Sequence, residues 1–175
     1  MSDLHATVPV IETENLILRA PDLGDLDAMI AFYASPRAGF VGGPAGPDWV
    51  WNKLCGVIGH WVVRGYGMWT IEDRASGAIA GRVGMIRHLR WPEPELGWQI
   101  YEGFEGRGIA YEAVVAARAT AARYFGLTAP ISLIAKENAR SIRLAERLGA
   151  TIESEGEVAG HPCLIWRHPV TEVRP

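Results

Sequence analysis

The chain has 175 residues, 49% of them hydrophobic and 21% charged, with a formal net charge of −3. That length suits one domain of roughly 100–200 residues with its own core, and the composition excludes a disordered polymer. The acidic balance excludes a general nucleic-acid binder, which needs a broadly basic face to displace counterions.

Cys55 and Cys163 lie far apart, in no ligand spacing, so neither a disulfide framework nor a structural metal is expected. The longest near-apolar stretch, 54–63, is broken by His60 and is too short to cross a bilayer, so no membrane partner is expected. The opening MSDLHATVPV has neither the basic nor the apolar segment of a secretion signal, and a cytoplasmic location is the expectation. Fifteen arginines stand against two lysines, Lys53 and Lys136.

In chain order, residues 15–20 (NLILRA) read as a first strand ended by Pro21. Asp22 or Asp25 offers an N-cap, and Leu26, Met29, Ile30 and Tyr33 follow at helical spacing. Residues 37–47, rich in Gly and Pro, read as a loop. Asp48 is a candidate cap for a second helix, on which Trp51, Leu54, Cys55, Ile58 and Trp61 form an apolar stripe ended by Gly65. From residue 67 the period changes. GMWTIED, ASG and AIAGRVGMI read as strand, turn and returning strand, and ELGWQI (95–100) as a further strand after a Pro-containing connection. Helix propensity is high over 111–125, with Val114, Ala117, Ala121 and Phe125 on one face and Gly126 as its stop. Residues 131–135 (ISLIA) read as a buried strand, and 138–148 as a helix with Ile142, Ala145 and Leu148 facing inward. A closing strand pair is expected around 151–153 and CLIWRH, with a turn from Gly156 to Gly160. Residues 1–10 and 170–175 are expected to be loosely held.

The segment YEGFEGRGIA (101–110) stands between a strand and a long helix. Its three glycines, Gly103, Gly106 and Gly108, would leave main-chain N–H groups open at a helix N-terminus, where the dipole favours an anion. The spacing is neither GxGxxG nor a P-loop, so the nucleotide classes those motifs mark are not indicated. A Gly-rich turn that merely redirects the chain is the alternative.

EGRGIA (105–110) resembles the pyrophosphate loop of the GNAT acyltransferases. ENARSIRLAERLGA (137–150) resembles that family's last core helix, EPELGWQI (93–100) its splayed strand, and ETENLILRAPDLGDLDAMIAFY (12–33) the opening strand and helix of its RimJ/RimL-like branch. The resemblance covers nearly the whole chain. It departs at Glu105, where the family has Gln or Arg; at Ala145, where many members carry an acid tyrosine; and at Ala150, where an aromatic is usual.

The fold so implied is α/β: a mixed, mostly antiparallel sheet of six to seven strands with a central splay, flanked by about four helices. The strands at 95 and 131 should run parallel and diverge. The resemblance implies acetyl-CoA as co-substrate, with no metal. Glu105, Gly106, Arg107, Gly108, Ile109 and Ala110 would hold the diphosphate, Trp98 and Ile100 the pantetheine edge, and Asn138 and Arg143 the cofactor arm and its phosphates. Glu95 is the candidate base for deprotonating an amine; an exposed carboxylate paired with Arg87 or Arg90 is its alternative. Ser141 is the candidate donor to the leaving sulfur, or else an ordinary helix-start serine.

The function implied is acetyl transfer to a primary amine of a small molecule or of a peptide or protein N-terminus, and the acidic balance favours a cationic acceptor. A catalytically reduced CoA-binding regulatory module is the competing reading, and a plain interaction domain a third. Trp49 and Trp91 are candidates for an acceptor-site rim; Trp51, Trp61 and Trp69 for core or cavity wall. Many relatives form homodimers, and the sequence leaves the oligomeric state open.

Overall fold

The computed structural model describes residues 6–158 and 160–173. Eight strands form one sheet: β1 (Ile11–Glu12), β2 (Leu16–Arg19), β3 (Met68–Asp73), β4 (Ile79–Ile86), β5 (Glu95–Ile100), β6 (Ile131–Ala135), β7 (Thr151–Val158) and β8 (His161–Arg167). Their spatial order is β1-β2-β3-β4-β5-β6-β8-β7. All neighbours are antiparallel except β5 and β6, which run parallel. The helices are α1 (Leu26–Ala34), α2 (Pro47–Arg64), α3 (Ile109–Phe125) and α4 (Ala139–Arg147). The sheet has one strand more than the six to seven expected, because the two-residue β1 pairs onto β2. A two-residue strand is too short to show any alternation in sequence.

The two faces of the sheet bury different side chains. On one, Leu16, Leu18, Trp69, Val83, Met85 and Leu96 pack with Ile109, Ala113, Val114, Ala117 and Ala121 of α3. The alanines keep α3 close to the sheet, and each large side chain so buried contributes roughly 1.5–3 kcal/mol. The other face is covered by α1 and α2, whose core includes Met29, Phe32, Tyr33, Val50 and Leu54.

On α2 the inward row is Val50, Leu54, Val57 and Trp61, whereas Trp51, Cys55 and Ile58 are exposed. The expected stripe therefore mixed two neighbouring apolar rows, both at helical spacing, and only the position of the sheet selects between them. Asp48 is not the cap: Gly46 precedes a helix that begins at Pro47, and Asp48 sits in the first turn, where its charge suits the dipole. Asp22 does cap, in a reciprocal box with Asp25 around a short 3-10 turn (Leu23–Asp25). A second such turn, Pro36–Phe40, lies inside the expected loop.

β7 also runs past the expected turn. Gly156 is a strand residue opposite Cys163, where an added Cβ would come within 2.9 Å of the Ile165 side chain. Of that turn, residue 159 lies outside the described residues, as do 1–5 and 174–175 of the chain ends expected to be loose. Nearer the core the ends are held: Trp69 Nε1 donates to Pro9 O at 2.8 Å, and Thr171 N donates to Thr128 O at 2.8 Å. Among the described residues no helix is long and apolar enough to cross a membrane.

Candidate active site

The only register pair between β5 and β6 is Glu95 with Ile131. Beyond it the parallel strands part, and a cleft of about 890 Å³ opens. Trp98, Gln99 and Ile100 of β5 form one wall, the turn before α3 a second, and the first turns of α4 a third.

That turn is made by glycine. Gly106 (φ 74°) and Gly108 (φ 81°) are left-handed, and an added Cβ at either would meet nothing within 4 Å, so the space before them is open. Gly108 is the N-cap residue of α3 and offers no side chain to the helix end. The first N–H groups of α3 therefore lack intrahelical partners beside Gly106, Gly108, Ile109 and Ala110, all of which line the cleft. Arg37, Arg140, Arg143 and Arg147 line it too. Main-chain donors, a helix dipole and four guanidinium groups make a site for a polyanion.

Glu105 at first opposes that reading, but it is not left facing a ligand unopposed. It forms an ion pair with Arg37, and Arg140 Nη1 stands 3.9 Å from its carboxylate. Arg37 arrives from the Pro36–Phe40 turn, and its buried Nε has no partner among the described residues. Neither Arg37 nor Arg147 was singled out in the sequence. The spacing of Arg140, Arg143 and Arg147 on one side of α4 was a usable signal; Arg37 had none, because its role comes from a contact between distant segments.

Arg107 is placed elsewhere. Its Nη2 donates to Asp73 at 3.0 Å, its guanidinium lies over the Phe104 ring, and it does not line the cleft. The short β3–β4 connection brings Asp73 within reach, and the turn geometry sends the side chain there. Asn138 caps α4, its Oδ1 accepting from Ser141 N at 3.2 Å. This leaves the half-buried Ser141 hydroxyl on the cleft wall, without a protein partner among the described residues. Ala145 is wholly buried against Ile134, Ala150 and Trp166, so that position supplies packing and no acid.

Glu95 does not line this cleft. It lies at the apex of the splay, buried, with Oε1 accepting from Leu133 N at 3.0 Å. A side chain thus takes up a β6 donor at the point where the strands part. The exposed alternative is excluded, and Arg87 instead donates to Pro92 O. Burial pushes the Glu95 carboxyl up to about 7, against the stabilising bond from Leu133 and the attraction of Lys53.

Beside it, Ser132 Oγ donates to Leu96 O at 2.6 Å and accepts from His168 Nε2 at 2.9 Å. The His168 ring is buried, and burial followed by repulsion from Arg118 brings it down to about 4. Of the tryptophans expected as core or wall, Trp61 and Trp69 are core and Trp51 is exposed; of those expected as rim, Trp49 packs edge-on against Tyr33 and Trp91 meets His88 edge-on.

Comparison with known proteins identifies the family of the fold. Residues 15–151 match the acetyltransferase (GNAT) domain family. An acetyltransferase from Agrobacterium tumefaciens is 34% identical, over 97% of this chain and 99% of its own, with a TM-score of 0.85. At 19% identity the fold alone is shared with the RimL ribosomal-protein alpha-N-acetyltransferase in complex with coenzyme A, over 93% of this chain and 98% of that one, TM-score 0.74. An acetyltransferase from Salmonella typhimurium that modifies the N-terminal serine of a ribosomal protein is similar in the same sense, at 18% identity over 94% and 100% of the two chains, TM-score 0.75. With its divergent parallel strands and the Gly106 and Gly108 turn at the head of α3, the chain belongs to the GNAT family and is an acyl-CoA-dependent acetyltransferase.

Proposed function

We propose that the protein moves an acetyl group from acetyl-CoA to the primary amine of a small molecule, or of a peptide or protein N-terminus, by direct attack. The observation that carries this reading is the Gly106–Gly108 turn opening onto an arginine-lined cleft that leads to the β5–β6 splay. In this reading the N–H groups at the head of α3 take the diphosphate, and Arg140, Arg143 and Arg147 face the remaining phosphate and ribose. The β5 edge at Trp98–Ile100, free of β6, takes the pantetheine amides as a pseudo-strand.

Glu95 then stands where the arm ends. As carboxylate it accepts a proton from the ammonium form of the acceptor, directly or through water. The freed amine forms a C–N bond at the thioester carbon, and the C–S bond breaks as the electron pair leaves on sulfur. A β5 main-chain N–H stabilises the oxyanion, and Ser141 donates to the departing thiolate. With Ala145 buried, Ser141 at the head of α4 supplies a cleft-wall hydroxyl for that role.

Two measurements test the reading. Acetyl-CoA at roughly 100 times its Kd adds about 2.7 kcal/mol of stability, read as a rise in unfolding temperature. Thiol release across a panel of amines then reads turnover. No stabilisation and no release would remove the assignment; stabilisation without release from any amine would favour the regulatory module.

Arg37 gives a further prediction. It sits at the cleft on Glu105, and a ligand diphosphate offers it a stronger partner. Arg37→Ala is expected to raise KM for acetyl-CoA about tenfold, an effect of one charge-assisted hydrogen bond, with a much smaller change in kcat at saturation. An unchanged KM would leave Arg37 as a partner of Glu105 alone.

A further inference from the structure

A second cavity, of about 420 Å³, lies between α2 and the ends of β3 and β4, and shares no lining residue with the cleft. Its floor is apolar: Val57, Met68 and Ile86 form a small buried cluster, with Trp91 packed against it. Ile86 pairs with Glu95 across the β4–β5 ladder, so this floor lies one strand away from the candidate base and on the same side of the sheet.

The walls carry two cations, Lys53 and Arg64, beside two histidines, His60 and His88, that burial pushes toward the neutral form. His60 is committed elsewhere: Nδ1 donates to Tyr66 O at 2.7 Å, and Nε2 accepts from Arg87 N at 3.1 Å. Lys53 is not. Among the described residues its ammonium has no hydrogen bond or ion pair, and it stands 5.8 Å from the centroid of the Trp49 ring.

Arg82 adds a second uncompensated cation on this face. It is wholly buried, its Nη2 donates only to the neutral Tyr33 and Gln99, and its Nε and Nη1 have no partner among the described residues. Burial of Lys53 and its repulsion from Arg82 outweigh the pull of Glu95 and bring the ammonium down to about 8. The chain uses lysine only twice against fifteen arginines, and the other, Lys136, is paired with Glu155 at the surface. A desolvated, unpaired cation costs stability unless a ligand supplies the counter-charge.

The geometry points to an acceptor that is a small amino acid: a primary amine carrying its own carboxylate, with the carboxylate on Lys53, an apolar side chain on the Val57–Met68–Ile86 floor, and the amine directed at Glu95. This rests on the acyl-transfer reading and narrows its acceptor. It also reverses the cationic acceptor suggested by the net charge, because the charges around one cavity, not the total, set recognition.

The test compares L-leucine with L-leucinamide and 3-methylbutylamine, and L-phenylalanine with its amide, at equal concentrations of unprotonated amine. Thiol release is expected to show a kcat/KM at least tenfold higher for the carboxylate members. Lys53→Gln erases that ratio by raising KM for the amino acid, and Lys53→Arg retains it. A second readout is independent of turnover: calorimetry on the CoA-bound protein with N-acetyl-L-leucine and its amide, where the acid is expected to bind at least tenfold more tightly and to lose that advantage in Lys53→Gln.

Ratios near one in both series, or a preference that survives Lys53→Gln, would overturn the inference while leaving acetyl transfer standing. If no amine is acetylated, the acyl-transfer reading fails and the calorimetric comparison alone decides the carboxylate site.

Discussion

Glu95→Gln is expected to lower kcat by roughly 10²–10⁴-fold and to flatten the acidic limb of the pH–rate profile. In the wild type that limb reports a carboxyl held at about 7 by burial, so activity falls as pH drops through that value and the base takes up its proton. The amide of glutamine keeps an oxygen for the Leu133 N–H, so the bond that joins β5 to β6 at the apex survives and the splay is retained. It cannot accept a proton. The limb due to the acceptor amine's own ionisation persists in both proteins and serves as an internal control. A variant with unchanged kcat and an unchanged acidic limb would reduce Glu95 to a structural bridge between the strands.

The second large effect is on stability. Glu95 and His168 lie close to the same strands and pull the pH dependence in opposite directions. Glu95 rises from 4.5 to about 7 on folding, so the folded state holds its proton more tightly. Its favourable contribution is full below 4.5 and is lost as pH rises through 7. His168 falls from 6.5 to about 4, so the folded state resists protonation. Its contribution is present above 6.5 and is lost as pH falls through 4.

Each shift corresponds to about 3 kcal/mol, and between pH 4.5 and 6.5 the two slopes largely cancel. Urea unfolding at stepped pH reads this directly. Relative to wild type, Glu95→Gln should gain about 3 kcal/mol between pH 4 and pH 8. His168→Gln keeps a donor for Ser132 Oγ and should lose about 3 kcal/mol less than wild type on going from pH 7 to pH 4. Curves parallel to wild type in both variants would show that neither group changes its affinity for protons on folding.

The parts of this protein that its sequence made readable are those encoded within a few residues. Period-two alternation in β3, β4 and β5, the alanine-rich face of α3, the glycine stops at Gly65 and Gly126, and the left-handed pair Gly106 and Gly108 each depend on neighbours less than a turn or two away. From them the order of strands and helices, the anion-binding turn and its place in the chain follow, whereas the splay of the parallel pair was implied by the family resemblance.

Tertiary structure alone decided which of two apolar rows on α2 meets the sheet, and it alone sent Arg107 to Asp73, 34 positions away, while bringing Arg37 to Glu105. It also turned Glu95 from a residue near two arginines into a buried carboxyl on Leu133, 38 positions further on. A guanidinium or carboxylate on a flexible stem has many partners within reach of its own segment. The choice among them is made by burial and by the charges that other segments bring up, and neither exists until the sheet has closed on its helices.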